Sequence, residues 1–160
     1  MPETTDAIVR GEIELPQFTG KILYGPVFRT ESEREQLFGE LDARQVSVIW
    51  NLQELPDSCA LEQQHFAAVV WTPVEDYAVP EDADAFVRDL DGVLDHLRAG
   101  HHVYVHCMAG HGRTGLGLAS LLVRLGAPPA LALSQVHEVC GGPETSDQQE
   151  FVHGIEAEAK

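Results

Sequence analysis

The ten residues from His106 to Gly115, reading His-Cys-Met-Ala-Gly-His-Gly-Arg-Thr-Gly, constrain this chain more than any other stretch. A cysteine and an arginine are separated by five residues, three of them Ala or Gly, so the segment between them can wrap a single phosphate. The run before it, His102-Val103-Tyr104-Val105-His106, alternates and is β-branched, which predicts a strand. The run after it, Leu116 to Leu125, is apolar nearly all round and predicts a buried helix. The loop therefore joins the carboxyl end of a strand to the amino end of a helix. In open α/β sheets ligands collect at that junction, because unpaired helix N–H groups and the macrodipole favour an anion.

The residue types specify the chemistry. Gly110 and Gly112 permit dihedrals that let the N–H groups of Met108, Ala109, Gly110, His111, Gly112 and Arg113 turn inward around an anion. Arg113 presents a planar fork that grips two phosphate oxygens and keeps its charge. Cys107 lies beneath this positive field, which is expected to lower its pKa from ~8.5 into the range of roughly 3.5–7.5 and make it a thiolate aimed at the phosphorus. The Thr114 hydroxyl is placed to donate to that sulfur.

The pattern His106-Cys107-(five residues)-Arg113-Thr114 resembles the signature loop of the cysteine-dependent protein tyrosine phosphatases. Its glycine placement, Ala-Gly-x-Gly-Arg-Thr-Gly, is most similar to the compact dual-specificity branch. Residues bearing the likeness run from about Lys21 to Phe151. The resemblance implies an α/β fold with a single central, mostly parallel sheet flanked by helices. It also implies that His106 supports the loop from behind, and that His111 stands on the pocket rim where the family varies most.

At 160 residues the chain has the length of one domain, by a prior of about 150 residues each. We expect residues 1–7 to be a loose tail and residues 8–160 the domain. The net charge of −16 argues against nucleic acid or an anionic membrane surface as a partner, since both need a basic face. It also makes a polyanionic substrate harder to attract. Three cysteines, one of them assigned as a thiolate, make no disulfide framework and fit a reducing compartment. The opening Met1-Pro2-Glu3-Thr4-Thr5-Asp6 lacks the basic and apolar parts of a signal peptide, so the expected location is the cytoplasm.

Along the chain, Ile8 to Leu15 predicts an edge strand stopped by Pro16, and Lys21 to Tyr24 a short strand before Gly25-Pro26. Thr30 or Ser32 caps a helix whose inner face is Leu37, Phe38 and Leu41. Val46 to Leu52 predicts a buried central strand. Cys59 to His65 forms a short helix and Ala67 to Thr72 a strand. From Glu81 to Arg98 a helix buries Phe86, Leu90, Val93, Leu94 and Leu97 and is closed by Gly100. Pro128-Pro129 opens another, with Ala132, Val136 and Val139 inward. A last helix starts at Ser146, where Ser146 and Gln149 resemble a capping box, and docks through Phe151, Val152 and Ile155.

Thiolate attack on a phosphomonoester needs an acid for the departing oxygen. The resembling family keeps that acid on the loop about thirty residues ahead of the nucleophile. There Asp76 matches, ahead of Val79-Pro80, with Glu75 as the runner-up. The family also uses a glutamine to orient the hydrolytic water. The segment Glu144-Thr145-Ser146-Asp147-Gln148-Gln149-Glu150-Phe151 selects Gln148, with Gln149 beside it. The histidines near Cys107 in sequence make no zinc site in this reading, because His102 and His106 would lie about 13 Å apart along one strand face. No metal or other cofactor is required by the mechanism. The reading is thus a metal-independent phosphatase of phosphotyrosine, and of phosphoserine and phosphothreonine, in proteins or peptides, working through a phosphocysteine. A phosphoinositide or inositol phosphate phosphatase, and a catalytically dead phosphobinding module, are the alternatives.

Overall fold

A computed structural model of the chain describes residues 6–108 and 111–158. The periodicities of the sequence become β1 (Gly11–Ile13), β2 (Ile22–Pro26), α1 (Glu31–Ala43), β3 (Val46–Asn51), α2 (Asp57–His65), β4 (Ala68–Trp71), α3 (Ala83–Arg98), β5 (His102–Cys107), α4 (Gly112–Arg124), α5 (Pro129–Cys140) and α6 (Ser146–His153). Residues 1–5 of the expected tail lie outside the described residues. Its last two, 6 and 7, lead directly into a tethered segment. Gln36 Nε2 donates to the Asp6 carbonyl at 2.8 Å, and the Ile8 N–H donates to the Glu40 carboxylate at 3.0 Å.

The five strands form one sheet in the order β1-β2-β5-β3-β4. β2, β5, β3 and β4 run parallel, and β1 closes one edge antiparallel to β2. The strand that leads into the loop is therefore the middle one. A strand in that position is covered on both faces, which explains its Val- and Tyr-rich sequence. Alternation sends Val103 and Val105 into the core under α3 to α6, while Tyr104 enters a second core with Leu37, Phe38 and Leu41 of α1.

The stripe on α3 behaves as its spacing predicts: Phe86, Leu90, Val93, Leu94 and Leu97 are all buried. Each such side chain contributes about 1.5–3 kcal/mol relative to exposure. The helix begins two residues later than expected, because Asp82 caps it by accepting from the Ala85 N–H at 3.0 Å. Thr30 caps α1 through the Glu33 N–H at 3.1 Å. α4 is buried along nearly its whole length, enclosed by β5, α3, α5 and α6.

Two expectations shift by one residue. Val139 was expected inward on α5 but is 49% exposed; Cys140 is buried in its place. From Ala132 and Val136 the buried stripe continues at the next i+4 position, which is Cys140. The cap of α6 is Thr145 rather than Ser146, and its reciprocal partner is Gln148 rather than Gln149. Thr145 holds the extended dihedrals a capping residue needs, whereas Ser146 is already helical.

Candidate active site

β5 ends at the carboxyl edge of the parallel strands, and the same alternation that buries Val103 and Val105 turns Cys107 toward α4. Backbone bonds hold this strand end on both sides. The Leu52 N–H donates to the His106 carbonyl at 2.9 Å, and the Val27 N–H donates to the Met108 carbonyl at 3.1 Å. Thr114 Oγ1 donates to Cys107 Sγ at 3.3 Å from the first turn of α4. Of the residues expected to cradle the anion, Ala109 and Gly110 lie outside the described residues. Met108, His111, Gly112 and Arg113 flank them, and among the described residues no side chain caps the α4 amino terminus. Burial pushes the Cys59 and Cys140 thiols up; the Glu62 charge adds to the rise at Cys59, and a backbone hydrogen bond at Gly142 works against it at Cys140.

Arg113 is buried in the same turn. Its Nη1 donates to the Val74 carbonyl at 2.9 Å, and its Nε lies 3.8 Å from Asp76 Oδ1. Among the described residues that Nε has no hydrogen-bond partner. A buried guanidinium donor without an acceptor is costly, so this Nε is free to donate to a group that enters above the loop.

The segment between β4 and α3 is fastened at two points. Arg113 holds the Val74 carbonyl, and Gln148 Nε2 donates to the Ala78 carbonyl at 2.9 Å. Between them the chain makes a turn, the Ala78 N–H donating to the Glu75 carbonyl at 3.0 Å, with Tyr77 in left-handed backbone at φ 63°. A non-glycine residue in that region carries strain of order 1–3 kcal/mol that the surroundings must offset. The turn sets Asp76 beside the guanidinium. Glu75 instead lines a cavity of about 390 Å³ with Thr72, Phe86 and Asp89. Gln148 is fully buried, and its Oε1 accepts from the Glu144 N–H at 3.1 Å. Gln149 is exposed.

Three groups were not singled out from the sequence as parts of the site. Glu62 of α2 is buried, with Oε2 2.6 Å from His106 Nε2 and Oε1 accepting from Asn51 Nδ2 at 2.8 Å. Asn51 also donates to Ser58 Oγ at 3.0 Å. Arg10 Nη1 lies 3.1 Å from His111 Nε2, while His111 Nδ1 donates to the Cys140 carbonyl at 2.7 Å. Asn51 was expected only as part of the buried central strand. Glu62 gave no signal, because α2 lacks an apolar stripe that would mark its inner face. The other histidines near Cys107 in sequence lie at the far end of β5: His96 and His101 face each other at 3.4 Å, and His102 Nδ1 accepts from the Lys21 N–H. Among the described residues no three potential ligands converge on a metal position, and no helix is long and apolar enough to cross a membrane.

A family model described as the DSP-PTPase phosphatase of polymorphic toxin systems matches residues 26–127, a span holding Asp76, Cys107, Arg113 and Thr114. The chain is 37% identical over 88 residues to the uncharacterized protein MJECL20 of Methanocaldococcus jannaschii, an alignment covering 52% of this chain and 56% of that one. It thus spans about half the length of that relative. Among solved structures, Tk-PTP in its active form superposes with a TM-score of 0.72 at 26% identity, over 89% of this chain and 98% of that one. The kinase associated phosphatase, with its catalytic cysteine replaced by serine, shares the fold at a TM-score of 0.76 and 18% identity, over 94% of each chain. With more than half of its residues under the family model, the chain belongs to the DSP-PTPase phosphatases of the cysteine-dependent protein tyrosine phosphatase superfamily.

Proposed function

We propose that this chain hydrolyses phosphomonoesters on proteins or peptides, phosphotyrosine first and phosphoserine and phosphothreonine with it, through a phosphocysteine. The observation that carries the reading is the convergence of Thr114 on Cys107 Sγ, and of Arg113 on Asp76, at one end of the central strand. The Cys107 thiolate attacks the phosphorus in line. Arg113 and the loop N–H groups of Met108 to Arg113 hold the equatorial oxygens, and Asp76 gives its proton to the oxygen that leaves as the P–O ester bond breaks. Asp76, now a carboxylate, then takes a proton from the attacking water. The P–S bond breaks, phosphate departs, and the hydrogen bond from Thr114 receives the restored thiolate. Gln148 serves this cycle through the acid loop that it fastens at Ala78.

An aromatic phosphoester on a peptide suits the surroundings. Met108 is half exposed and shares a groove with Phe28, Leu55, Leu61 and Arg29, while the rest of the chain carries a large negative balance that disfavours polyphosphates. The test is Cys107→Ser on a panel of phosphopeptides, phosphoinositides and an aryl phosphate. We expect turnover to vanish while tungstate still binds, because a serine hydroxyl does not ionise here yet leaves the anion cradle intact. Turnover within tenfold of the wild type would overturn the assignment. Preferential turnover of phosphoinositides by the wild type would move the substrate class to lipids.

A further inference from the structure

We propose that Glu62 is a positioning residue that keeps His106 doubly protonated, so that a fixed positive charge abuts the backbone of Cys107. His106 Nδ1 lies 3.2 Å from the Cys107 carbonyl, and a carbonyl only accepts, so Nδ1 carries a hydrogen. His106 Nε2 lies 2.6 Å from Glu62 Oε2, with the two side chains 0% and 1% exposed. The other carboxylate oxygen is already committed as an acceptor. Asn51 Oδ1 accepts from the Gln53 N–H at 2.9 Å, which fixes the amide orientation and makes Nδ2 the donor to Glu62 Oε1. Ser58 completes the set by accepting from Asn51 and donating to Gln53 Oε1 at 2.7 Å.

With Glu62 ionised, every partner of the imidazole is an acceptor. The distance to Glu62 is that of a charge-assisted bond, shorter than the ~2.9 Å of neutral N–H···O pairs. Sequestered from water, a cationic ring needs a counter-charge, and Glu62 supplies it. A buried ion pair is weak evidence for stability, since apolar side chains of the same volume often do as well. Its position directly behind the nucleophile gives it a different use.

The other groups facing the pair leave this assignment standing. On β5, the Tyr104 ring lies 5.8 Å from that of His106; its hydroxyl donates to the Pro26 carbonyl, and burial, with Glu40 and Glu62 nearby, holds it protonated. The flanking residues of β2, Gly25 and Pro26, carry no charge, and neither does Asn51 of β3. α4 brings Arg113, offset by Asp76 from the acid loop. Arg10 and Glu40 lie where their charges reach Tyr104, and on α2 burial, with Glu62 beside it, pushes the Cys59 thiol up.

The experiment is nitrogen-15 NMR of histidine-labelled protein, the His106 signals being those lost in His106→Asn. The wild type is expected to show both His106 nitrogens protonated from pH 6 to 8. Glu62→Gln keeps the shape, still accepts from Asn51 and can donate to Nε2, so its His106 is expected to show one bare nitrogen. A bare nitrogen on wild-type His106 at pH 7 would overturn the proposal outright, whether or not the variant folds. The second arm is iodoacetamide labelling of Cys107. We expect Glu62→Gln to react about tenfold more slowly at pH 5.5 and equally at pH 9; equal rates at both would remove the link to the nucleophile. This arm rests on the proposed role of Cys107, whereas the ring nitrogens report on the pair even if Cys107→Ser remains an active enzyme.

Discussion

Asp76 and Glu75 are neighbours in sequence and both are exposed, yet only Asp76 lies beside the Arg113 guanidinium. Strand alternation carried past Trp71 predicts opposite sides for the two carboxylates, but Pro73 leaves the register undefined. The left-handed Tyr77 decides it by turning the chain back within four residues. Asp76→Asn should therefore slow phenyl phosphate, whose leaving oxygen is basic, by about 10²-fold or more, and a nitrophenyl phosphate far less. It should also flatten the alkaline limb of the kcat profile, which reports the acid losing its proton. Glu75→Gln should do neither. Steady-state kinetics on both esters decide the matter, and exchanged phenotypes would make Glu75 the acid.

Among the elements, the site depends on how α4 and α6 meet the loops around them. Gly115, in the first turn of α4, lies so close to the Gly142–Pro143 backbone that an added Cβ would stand 2.3 Å from the Gly142 carbonyl carbon. Gly115→Ala should force the helix that carries Arg113 and Thr114 away from that segment. We expect a loss of about 1–3 kcal/mol in urea unfolding, together with a fall in kcat. Gly142 is as tightly placed, since an added Cβ there would stand 2.1 Å from the His111 carbonyl oxygen. α6 acts on the acid loop through Gln148. Gln148→Ala leaves the Ala78 carbonyl and the Glu144 N–H without their partner, a cost of about 1–3 kcal/mol. Its kinetic signature should mimic a mild Asp76→Asn, with phenyl phosphate suffering more than nitrophenyl phosphate. Equal losses on both esters would show that Gln148 acts elsewhere than on the acid.

For the whole molecule, folding buries acids that ionise only in alkali. Cys59, Cys140, Tyr24 and Tyr104 are all pushed up by burial, from ordinary values of 9.0 for the thiols and 10.0 for the phenols. Their folded states hold protons that the unfolded chain gives up, so the stability they contribute is complete below pH 9 and drains away above it. Thermal melts should show Tm level near neutrality and falling from about pH 9 upward. Cys59→Ala with Cys140→Ala should soften the first part of that fall, and a flat Tm to pH 10.5 would contradict the burial of these groups. What the sequence by itself determined was local. The strand–loop–helix around Cys107 and Arg113 and the apolar stripe of α3 each lie within a few turns of chain, where backbone preference and side-chain period act. One-residue errors arose where two adjacent residues suit a role equally, as Thr145 and Ser146 do, and packing chose between them. Only the tertiary structure joined Glu62 to His106 across 44 residues, Gln148 to Ala78 across 70 and Arg10 to His111 across 101. The order of strands in the sheet sets those distances, and no periodicity along the chain encodes that order.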